Sequence, residues 1–259
     1  MDNIKTDGEI EIMRENALLV SRTLAEVAKY IEPGVSTRKL DEVAEKYIRD
    51  HNAEPGFLGY KGFPNTLCIS LNNVVVHGIP SDYILREGDI VSVDCGTKMK
   101  GFYGDSAYTF AVGRVSPEAE KLMKETKESL YKGIEQAVEG NRMGNLSYAI
   151  QSHVEQFGFS VVREMVGHAI GRKMHERPDV PNYGRKGRGP YLRSGMVICI
   201  EPMINLGKKE IFQERDGWTV KTADGSLSAH YELTVAVGKD KADVLSTFEF
   251  VENVLNKKS

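Results

Sequence analysis

The sequence predicts an α+β fold built from two similar halves. Two helical patterns followed by strand-like runs occur within the first 113 residues, and the same order returns after residue 114. Residues 85–94 also align without a gap with residues 192–201, and each copy ends on a carboxylate. Residues 109–113 and 234–238 form a second matching pair. Two such halves, related by an approximate two-fold axis, would place those carboxylates across a shared central cleft.

The first half begins with two predicted helices. Apolar residues recur every three to four positions over residues 8–31, and a Pro-Gly pair closes this pattern. Ser36 is a suitable N-cap for a second amphipathic helix. Strand-like runs follow at 66–76 and 89–111, and Gly101 marks a turn inside the longer run.

The second half repeats this order. Ser116-Pro117 provides an N-cap and a first-turn proline for a third helix, which is predicted to reach about residue 138. A fourth helix is predicted at about 145–157 and ends at Gly158. The remainder, up to residue 239, is predicted to consist of strands and loops.

Length and composition indicate one ordinary globular domain. The chain has 259 residues, of which 41% are apolar and 27% are charged. We expect a single domain over 1–259, with an N-terminal half at about 5–113, a C-terminal half at about 114–245 and a short polar C-terminal tail. The polar N-terminus does not resemble a signal peptide, and no apolar run approaches the ~20 residues of a membrane span. A cytoplasmic location is therefore expected.

The three cysteines are predicted to be reduced. Cys68, Cys95 and Cys199 show no C-x-x-C spacing, so the sequence indicates neither a thiolate zinc site nor a disulfide framework. Cys95 and Cys199 lie in apolar strand-like runs, where a thiol packs as a small apolar group.

Five potential metal ligands stand on or beside apolar, β-branched runs. An ionisable group in such a position is costly to bury unless a cation or a dense hydrogen-bond network offsets its desolvation. A lone aspartate at the end of a strand is usually a turn residue, but four carboxylates and one imidazole together suit a pair of divalent ions. The five residues are Asp94, Asp105, His168, Glu201 and Glu232.

Six short motifs in order identify a family resemblance. They are Val76-His77-Gly78-Ile79-Pro80, Gly101-Phe102-Tyr103-Gly104-Asp105, Gly167-His168-Ala169-Ile170-Gly171, Met174-His175-Glu176, Ile200-Glu201-Pro202-Met203 and Tyr231-Glu232-Leu233-Thr234. With Asp94, they resemble the type I methionine aminopeptidases over roughly residues 5–245. The resemblance implies the pita-bread fold, in which two pseudo-symmetric α+β halves surround a central antiparallel sheet that carries a dinuclear metal site.

The resemblance also implies how the metals are held. The residues matching Asp105 and Glu232 bridge the two ions, Asp94 holds one ion, and His168 and Glu201 hold the other. The family accepts cobalt, manganese, iron, zinc or nickel. Two closely spaced cations polarise a carbonyl group and lower the pKa of water, which permits hydrolysis of a peptide bond without a covalent intermediate.

Three residues carry catalytic roles by the same resemblance. Glu201 moves the proton from the attacking water to the leaving amine. His175 stabilises the tetrahedral intermediate through the scissile carbonyl oxygen, and His77 contacts the amide nitrogen on the leaving side.

Several other ionisable residues are interpreted as structural. His51, His153 and His230 are expected to be surface residues or satisfied core residues. Acidic residues of the second and third helices, among them Asp41 and Glu125, are expected on solvated helix faces.

An apolar pocket for the first substrate side chain is also implied. Flat rings and a polarisable sulfur make good contacts with an unbranched thioether. The residues matching that pocket are Phe57, Tyr60, Phe63, Cys68, Met174 and Trp218. Met174 departs from the family, which often has an aromatic residue there, and Ser194 replaces a usual proline. His230 and Leu233 stand where glutamine and histidine are common.

The implied function is removal of the initiator methionine from nascent polypeptides whose second residue is small. A proline-specific peptidase of the same fold is the alternative enzyme, although such relatives usually carry an extra N-terminal domain. A binding module that has lost catalysis is a third possibility, but its sequence would lack ligands. No large insertion of the kind that marks the type II enzymes occurs between His175 and Glu232.

The expected partners follow from this function. They are the N-termini of nascent polypeptides, and a contact with the ribosome near the exit tunnel is left open. The basic loop at 184–189 is interpreted as a solvated loop, with ribosomal RNA or an acidic nascent chain as the alternative partner. The formal net charge of −3 argues against sequence-specific nucleic-acid binding and against a membrane surface. A monomer is expected.

Overall fold

The computed structural model describes residues 4–258. Five α-helices occur in this part of the chain, and the first four lie close to their predicted positions. Ser36 accepts a hydrogen bond from the backbone N–H of Lys39, and Ser116 does the same for Ala119, so both predicted N-caps are confirmed. The helices are α1 (Asp7–Ala28), α2 (Thr37–Asp50), α3 (Pro117–Ile134), α4 (Met143–Glu155) and α5 (Glu249–Lys258).

Within the described residues, the first half contains five strands, of which four form one antiparallel sheet and the short strand at Val74–Val76 lies outside it. They are β1 (Glu54–Pro55), β2 (Leu67–Leu71), β3 (Val74–Val76), β4 (Ile90–Met99) and β5 (Phe102–Ala111). β4 and β5 form a long hairpin that turns at Gly101, as predicted. Asp94 on β4 and Asp105 on β5 are diagonal neighbours on one face, because Asp94 pairs with Ala107 two residues further along β5.

The described part of the second half contains ten short strands. They are β6 (Ser160–Val161), β7 (Gly167–Ala169), β8 (Glu176–Val180), β9 (Val197–Ile200), β10 (Met203–Asn205), β11 (Ile211–Gln213), β12 (Val220–Thr222), β13 (Ser228–His230), β14 (Leu233–Ala236) and β15 (Asp243–Val244). Five of them form a sheet with the order β15-β14-β9-β7-β8. Of the other strands, β12 pairs with β3 of the first half.

The two halves are joined through the backbone next to Glu232. The N–H of Glu232 donates to the carbonyl oxygen of Ala107 at 2.9 Å, and the hydroxyl of Ser106 donates to the carbonyl oxygen of Glu232 at 2.6 Å. These contacts place Glu232 of the second half beside the β4–β5 hairpin of the first half. The predicted α+β class is confirmed.

Side-chain alternation along β4 explains why a carboxylate faces the cleft. Val91, Val93 and Cys95 are fully buried in the largest core cluster, together with apolar residues of α1 and α2. Because successive strand residues point to opposite faces, Asp94 points away from those helices. The polar residue thus lies between two core positions of the strand.

The C-terminal segment differs from its prediction. Instead of a short polar tail, residues beyond 248 form α5, which packs against α1 and buries Val251 completely. α5 is an amphipathic helix, in which Phe250, Val254 and Leu255 pack against the core beside Val251 and the remaining residues are mostly polar.

Two acidic residues expected on solvated helix faces are buried. Asp41 accepts hydrogen bonds of 2.8 Å from the backbone N–H of Leu67 and from the side chain of Asn65. Glu125 lies 2.9 Å from Nε2 of His153. In both cases a partner from elsewhere in the chain satisfies the carboxylate. The described residues contain no helix that is long and apolar enough to cross a membrane.

Candidate active site

The five predicted ligands converge at the junction of the two halves. Asp94 and Asp105 come from the β4–β5 hairpin and His168 from β7, while Glu201 directly follows β9 and Glu232 directly precedes β14. His168 Nε2 lies 3.6 Å from Glu201 Oε1 and 3.7 Å from Asp105 Oδ2. Residues that are up to 138 positions apart in the chain (94 to 232) therefore form one cluster.

Three carboxylates of this cluster each have one oxygen without a hydrogen-bond partner in the described part of the chain. Asp94 Oδ1, Asp105 Oδ1 and Glu232 Oε1 are buried and receive no hydrogen bond among the described residues. Burial raises the pKa of Asp94 to about 6. The pKa of Asp105 lies well above its usual range, because of burial and then because of the neighbouring Glu232 and Asp94.

Burial and neighbouring carboxylates also raise the pKa values of the two glutamates. Burial raises the pKa of Glu201, and Asp94 adds to that effect. Burial also raises the pKa of Glu232, with a further contribution from Glu201. Four carboxylates held this close and away from water would be strongly destabilising as bare anions. The donor set therefore suits bound cations.

His168 presents an unprotonated ring nitrogen to the carboxylates. Its Nδ1 lies 3.1 Å from the carbonyl oxygen of Ala169, which fixes the ring and assigns the proton to Nδ1. Burial lowers the pKa of His168 to about 4, so the ring is neutral near pH 7. The lone pair of Nε2 then faces Asp105 and Glu201, as a metal ligand requires.

Cys199 also lies near the cluster, but it is buried as a protonated thiol. Its Sγ is within 4.8 Å of ligand atoms of Asp105, His168 and Glu232. Burial raises the pKa of this thiol well above its usual range, and Sγ lies 3.5 Å from the Thr234 hydroxyl. Cys68, Cys95 and Cys199 are all buried and free.

His77 adopts a left-handed backbone conformation at the rim of the cluster. Its φ is +59°, which is unfavourable for a residue with a side chain and is typical of functional positions. The next residue, Gly78, lies so close to β2 that a Cβ at that position would be 2.1 Å from the carbonyl oxygen of Ile69. Burial lowers the pKa of His77 to about 4.

His175 also lines the site and is held by Tyr60. The Tyr60 hydroxyl lies 2.9 Å from His175 Nδ1, and the two rings are stacked with centroids 5.5 Å apart. The ring of His168 is also close, at 4.2 Å between centroids. Burial lowers the pKa of His175 to about 4, so this imidazole is neutral near pH 7.

A cavity of about 300 Å³ opens above the cluster. One wall is aromatic, with the rings of Phe63 and Trp218 in edge-to-face contact at 5.1 Å. All five predicted metal ligands line it, as do His77, His175 and five of the six predicted pocket residues. The pocket residues are Phe57, Tyr60, Phe63, Cys68 and Trp218.

Met174 is the sixth pocket residue, and it does not line this cavity. It is fully buried in the same apolar cluster, one layer behind the wall. A Cβ on Gly96 would lie 2.8 Å from Met174 Cε and 2.5 Å from the ring of Phe57. In this structure Met174 therefore supports Phe57 from behind and occupies space that the small residue Gly96 leaves open.

The sequence analysis missed some cavity residues. Met165 and Met203 line the cavity and had no signal beyond ordinary apolar runs. His230 also lines it and is only 2% exposed, with Nε2 unpartnered among the described residues and 3.6 Å from Glu201 Oε2. The interpretation of His230 as a surface or satisfied core residue was wrong. Its place two residues before Glu232 was the available signal.

Comparison with known proteins agrees with this site. Residues 11–239 match metallopeptidase family M24. The chain is 53% identical over 247 residues to the methionine aminopeptidase of Clostridium acetobutylicum, covering 95% of this chain and 99% of that protein. It superposes with a TM-score of 0.94 on the crystal structure of methionine aminopeptidase from Rickettsia prowazekii, at 41% identity, covering 95% and 100% of the two chains.

The chain therefore belongs to metallopeptidase family M24, and its buried cluster indicates a centre for divalent metal ions. Within that family, methionine aminopeptidases match it at high identity over most of its length. The prolidase from Pyrococcus furiosus shares the fold alone, with a TM-score of 0.77 at 21% identity and coverage of 94% of this chain and 65% of the other. The predicted pita-bread fold is confirmed.

Proposed function

We propose that this protein is a methionine aminopeptidase that removes the initiator methionine from nascent polypeptides whose second residue is small. The observation that carries the proposal is the cavity of about 300 Å³, which has an aromatic wall and a floor of buried metal ligands. Substrate methionine would fill the apolar part and place its peptide bond over the cluster. A binding module without catalysis is disfavoured, because all five ligands are present and converge.

Two divalent ions are assigned to the cluster. Asp105 and Glu232 would hold both ions, Asp94 would hold one ion, and His168 and Glu201 would hold the other. The unpartnered carboxylate oxygens of Asp94, Asp105 and Glu232 support this assignment. Cobalt, manganese, iron, zinc and nickel all suit such a donor set. When bound, the ions lower the pKa of water and polarise the scissile carbonyl group.

Glu201 is assigned the proton transfer. One of its oxygens faces His168 and the other faces His230, so the carboxylate lies inside the cluster and lines the cavity. A carboxylate in this place accepts the proton of the attacking water and passes it to the leaving amine.

His175 is assigned the stabilisation of the carbonyl oxygen. If the Tyr60 hydroxyl donates to Nδ1, the proton of the neutral ring lies on Nε2. Nε2–H is then available to donate a hydrogen bond where negative charge develops on the substrate oxygen. His77, which also lines the cavity, is assigned to the amide nitrogen on the leaving side.

The first substrate side chain is assigned to the aromatic wall. Phe57, Phe63 and Trp218 offer flat surfaces, and Cys68 adds a polarisable sulfur nearby. An unbranched thioether gains more from such contacts than a branched aliphatic chain does. Methionine is therefore preferred over leucine.

A cytoplasmic monomer that works on nascent chains near the ribosome is the assigned setting. In the basic loop at 184–189, Arg185, Lys186 and Arg188 are exposed, which supports its interpretation as a solvated loop and leaves these charges accessible to ribosomal RNA. Lys186 also stands 4.7 Å from the ring centroid of Tyr148, so the loop offers both charge and an aromatic surface.

The test is release of the first residue from three tripeptides. Met-Ala-Ser, Leu-Ala-Ser and Ala-Pro-Ala are compared after metal removal and after addition of manganese or cobalt. The proposal expects metal-dependent cleavage of Met-Ala-Ser alone. Preference for Ala-Pro-Ala would instead support a proline-specific peptidase. Absence of cleavage with two equivalents of metal bound would refute the enzymatic role.

A further inference from the structure

The backbone of His230 is clamped against the first half of the molecule. Its N–H donates to the Thr109 hydroxyl at 3.0 Å, and that hydroxyl donates to the carbonyl oxygen of His230 at 2.7 Å. His230 is the last residue of β13 and pairs with Met203 on β10. Both contacts fix the direction of its side chain into the cavity.

The His230 ring is buried with one nitrogen unused. The residue is 2% exposed, and Nε2 has no hydrogen-bond partner among the described residues. Burying an unpartnered polar atom costs free energy, and such an atom in a folded protein calls for an explanation. The ionisable groups around the ring include Asp94, Glu201, Glu232 and His77.

Glu201 lies between two imidazoles at equal distances. Its Oε1 is 3.6 Å from His168 Nε2, and its Oε2 is 3.6 Å from His230 Nε2. Both separations are too long for a hydrogen bond. They match two donors of one ion, because metal–ligand distances of about 2.1 Å and angles of about 110–120° put the donor atoms roughly 3.4–3.6 Å apart.

The cluster divides into two sets of donors that share Glu232. Asp105, His168, Cys199 and Glu232 have potential ligand atoms within 4.8 Å of one another, and so do Glu201, His230 and Glu232. Each set contains one imidazole beside two carboxylates. Apart from the Cys199 thiol, His230 therefore has the same types of donor around it as His168, which is an assigned ligand.

We infer that His230 is a sixth protein ligand of the metal pair, binding through Nε2 beside Glu201 and Glu232. This inference rests on the proposed function, because it requires that metal ions occupy the cluster. A second imidazole makes the donor set softer than four carboxylates and one imidazole. The added imidazole increases the affinity of the site for cobalt, zinc, iron and nickel more than its affinity for manganese.

The competing arrangement is a hydrogen bond from Nε2–H of His230 to Glu201, without a bond to metal. In that arrangement His230 orients Glu201 and only His168 coordinates. Loss of such an outer partner also weakens metal binding, by about 10- to 100-fold. Affinity alone therefore does not separate the two arrangements, and the number of coordinated imidazoles does.

The experiment counts coordinated histidines in the full-length protein loaded with two equivalents of Co²⁺. Each coordinated ring carries an exchangeable N–H proton that the paramagnetic ion shifts far outside the normal proton NMR range. Two such resonances are expected for the wild-type protein, one for His230→Gln, and two for His153→Gln. His153 is a matched control because its ring is bound to Glu125, away from the cluster.

One shifted resonance in the wild-type protein would overturn the inference without reference to any variant. Two resonances that both persist in His230→Gln would overturn it as well, because the second ring would then be another histidine. If His230→Gln does not fold, His230→Asn replaces it. Failure to bind cobalt at all would refute the proposed metal centre, whereas one resonance from a bound metal pair refutes only the role of His230.

Discussion

The Thr234 hydroxyl donates a hydrogen bond of 2.8 Å to the carbonyl oxygen of Asp105. Thr234 lies two residues after Glu232. Glu232 and Asp105 are the two carboxylates that are assigned to both ions. This bond links β14 of the second half to β5 of the first half, directly beneath the cluster. Together with the backbone contacts of Glu232, it fixes the separation of the two bridging carboxylates.

Removing this link should weaken both the fold and the metal centre. Thr234→Val leaves the buried carbonyl oxygen of Asp105 without its donor, which costs about 1–3 kcal/mol. We expect that loss in denaturant unfolding and a weaker metal affinity by calorimetry. Thr23→Val is the control, because Thr23 is also buried but donates only within α1, to Leu19. Equal metal affinities in the two variants would contradict the link.

The metal-free protein should show a pH signature of Asp94. Its pKa is raised from 3.8 to about 6 on folding, so the folded state holds a proton that the unfolded state releases. The stability contributed by this group is lost as pH rises from about 4 to about 6. Asp94→Asn removes that loss, so the variant should gain stability relative to wild type over this interval, on the order of 2 kcal/mol.

The measurement is urea unfolding of metal-stripped wild type and Asp94→Asn at pH 4, 5, 6 and 7. The comparison is between variants because buried histidines with lowered pKa values change stability in the opposite direction over the same interval. Asp82→Asn, at an exposed carboxylate paired with Arg38, is the control. A stability difference between wild type and Asp94→Asn that does not vary with pH would refute this prediction.

Tyr60 should act through His175. Tyr60→Phe removes the hydroxyl that fixes the ring, so the Nε2–H tautomer is no longer selected. We expect kcat on Met-Ala-Ser to fall about 10-fold or more with a smaller change in KM, since the lost interaction serves the transition state. Tyr191→Phe, at an exposed tyrosine, should leave both constants unchanged. An increase in KM alone would mean that Tyr60 only binds substrate.

Gly78 should be intolerant of any side chain. A Cβ there would lie 2.1 Å from the carbonyl oxygen of Ile69, so β2 or the His77 segment must move. Gly78→Ala is expected to lower the free energy of unfolding by about 2–4 kcal/mol and to reduce activity. Gly8→Ala is the control, because nothing lies within 4 Å of the added methyl group. Wild-type activity in Gly78→Ala would show that the position of His77 is not critical.

The parts of the fold that local rules determine were predictable. Ser36 and Ser116 capped their helices as expected, since capping depends only on neighbouring backbone N–H groups. The β4–β5 hairpin followed from two β-branched runs with a glycine between them. The five residues assigned as ligands stood out in the sequence because ionisable groups on or beside apolar runs need a partner when they are buried.

The missed features depend on contacts between distant segments. Asp41 is buried because the N–H of Leu67 approaches it, and the period of α2 does not reveal that contact. His230 enters the cluster through a clamp by Thr109. Met174 lies behind the pocket wall because Gly96 leaves room there. Each outcome follows from tertiary packing, which sequence periodicity does not encode.

The most direct test of the central claim is anomalous diffraction from crystals of the protein grown with manganese. The account predicts two anomalous peaks about 3.5–4 Å apart, with Asp105 and Glu232 between them, Asp94 on one and His168 with Glu201 on the other. No peak at this cluster, or ions held by other residues, would contradict the assignment of these five side chains as the catalytic metal centre.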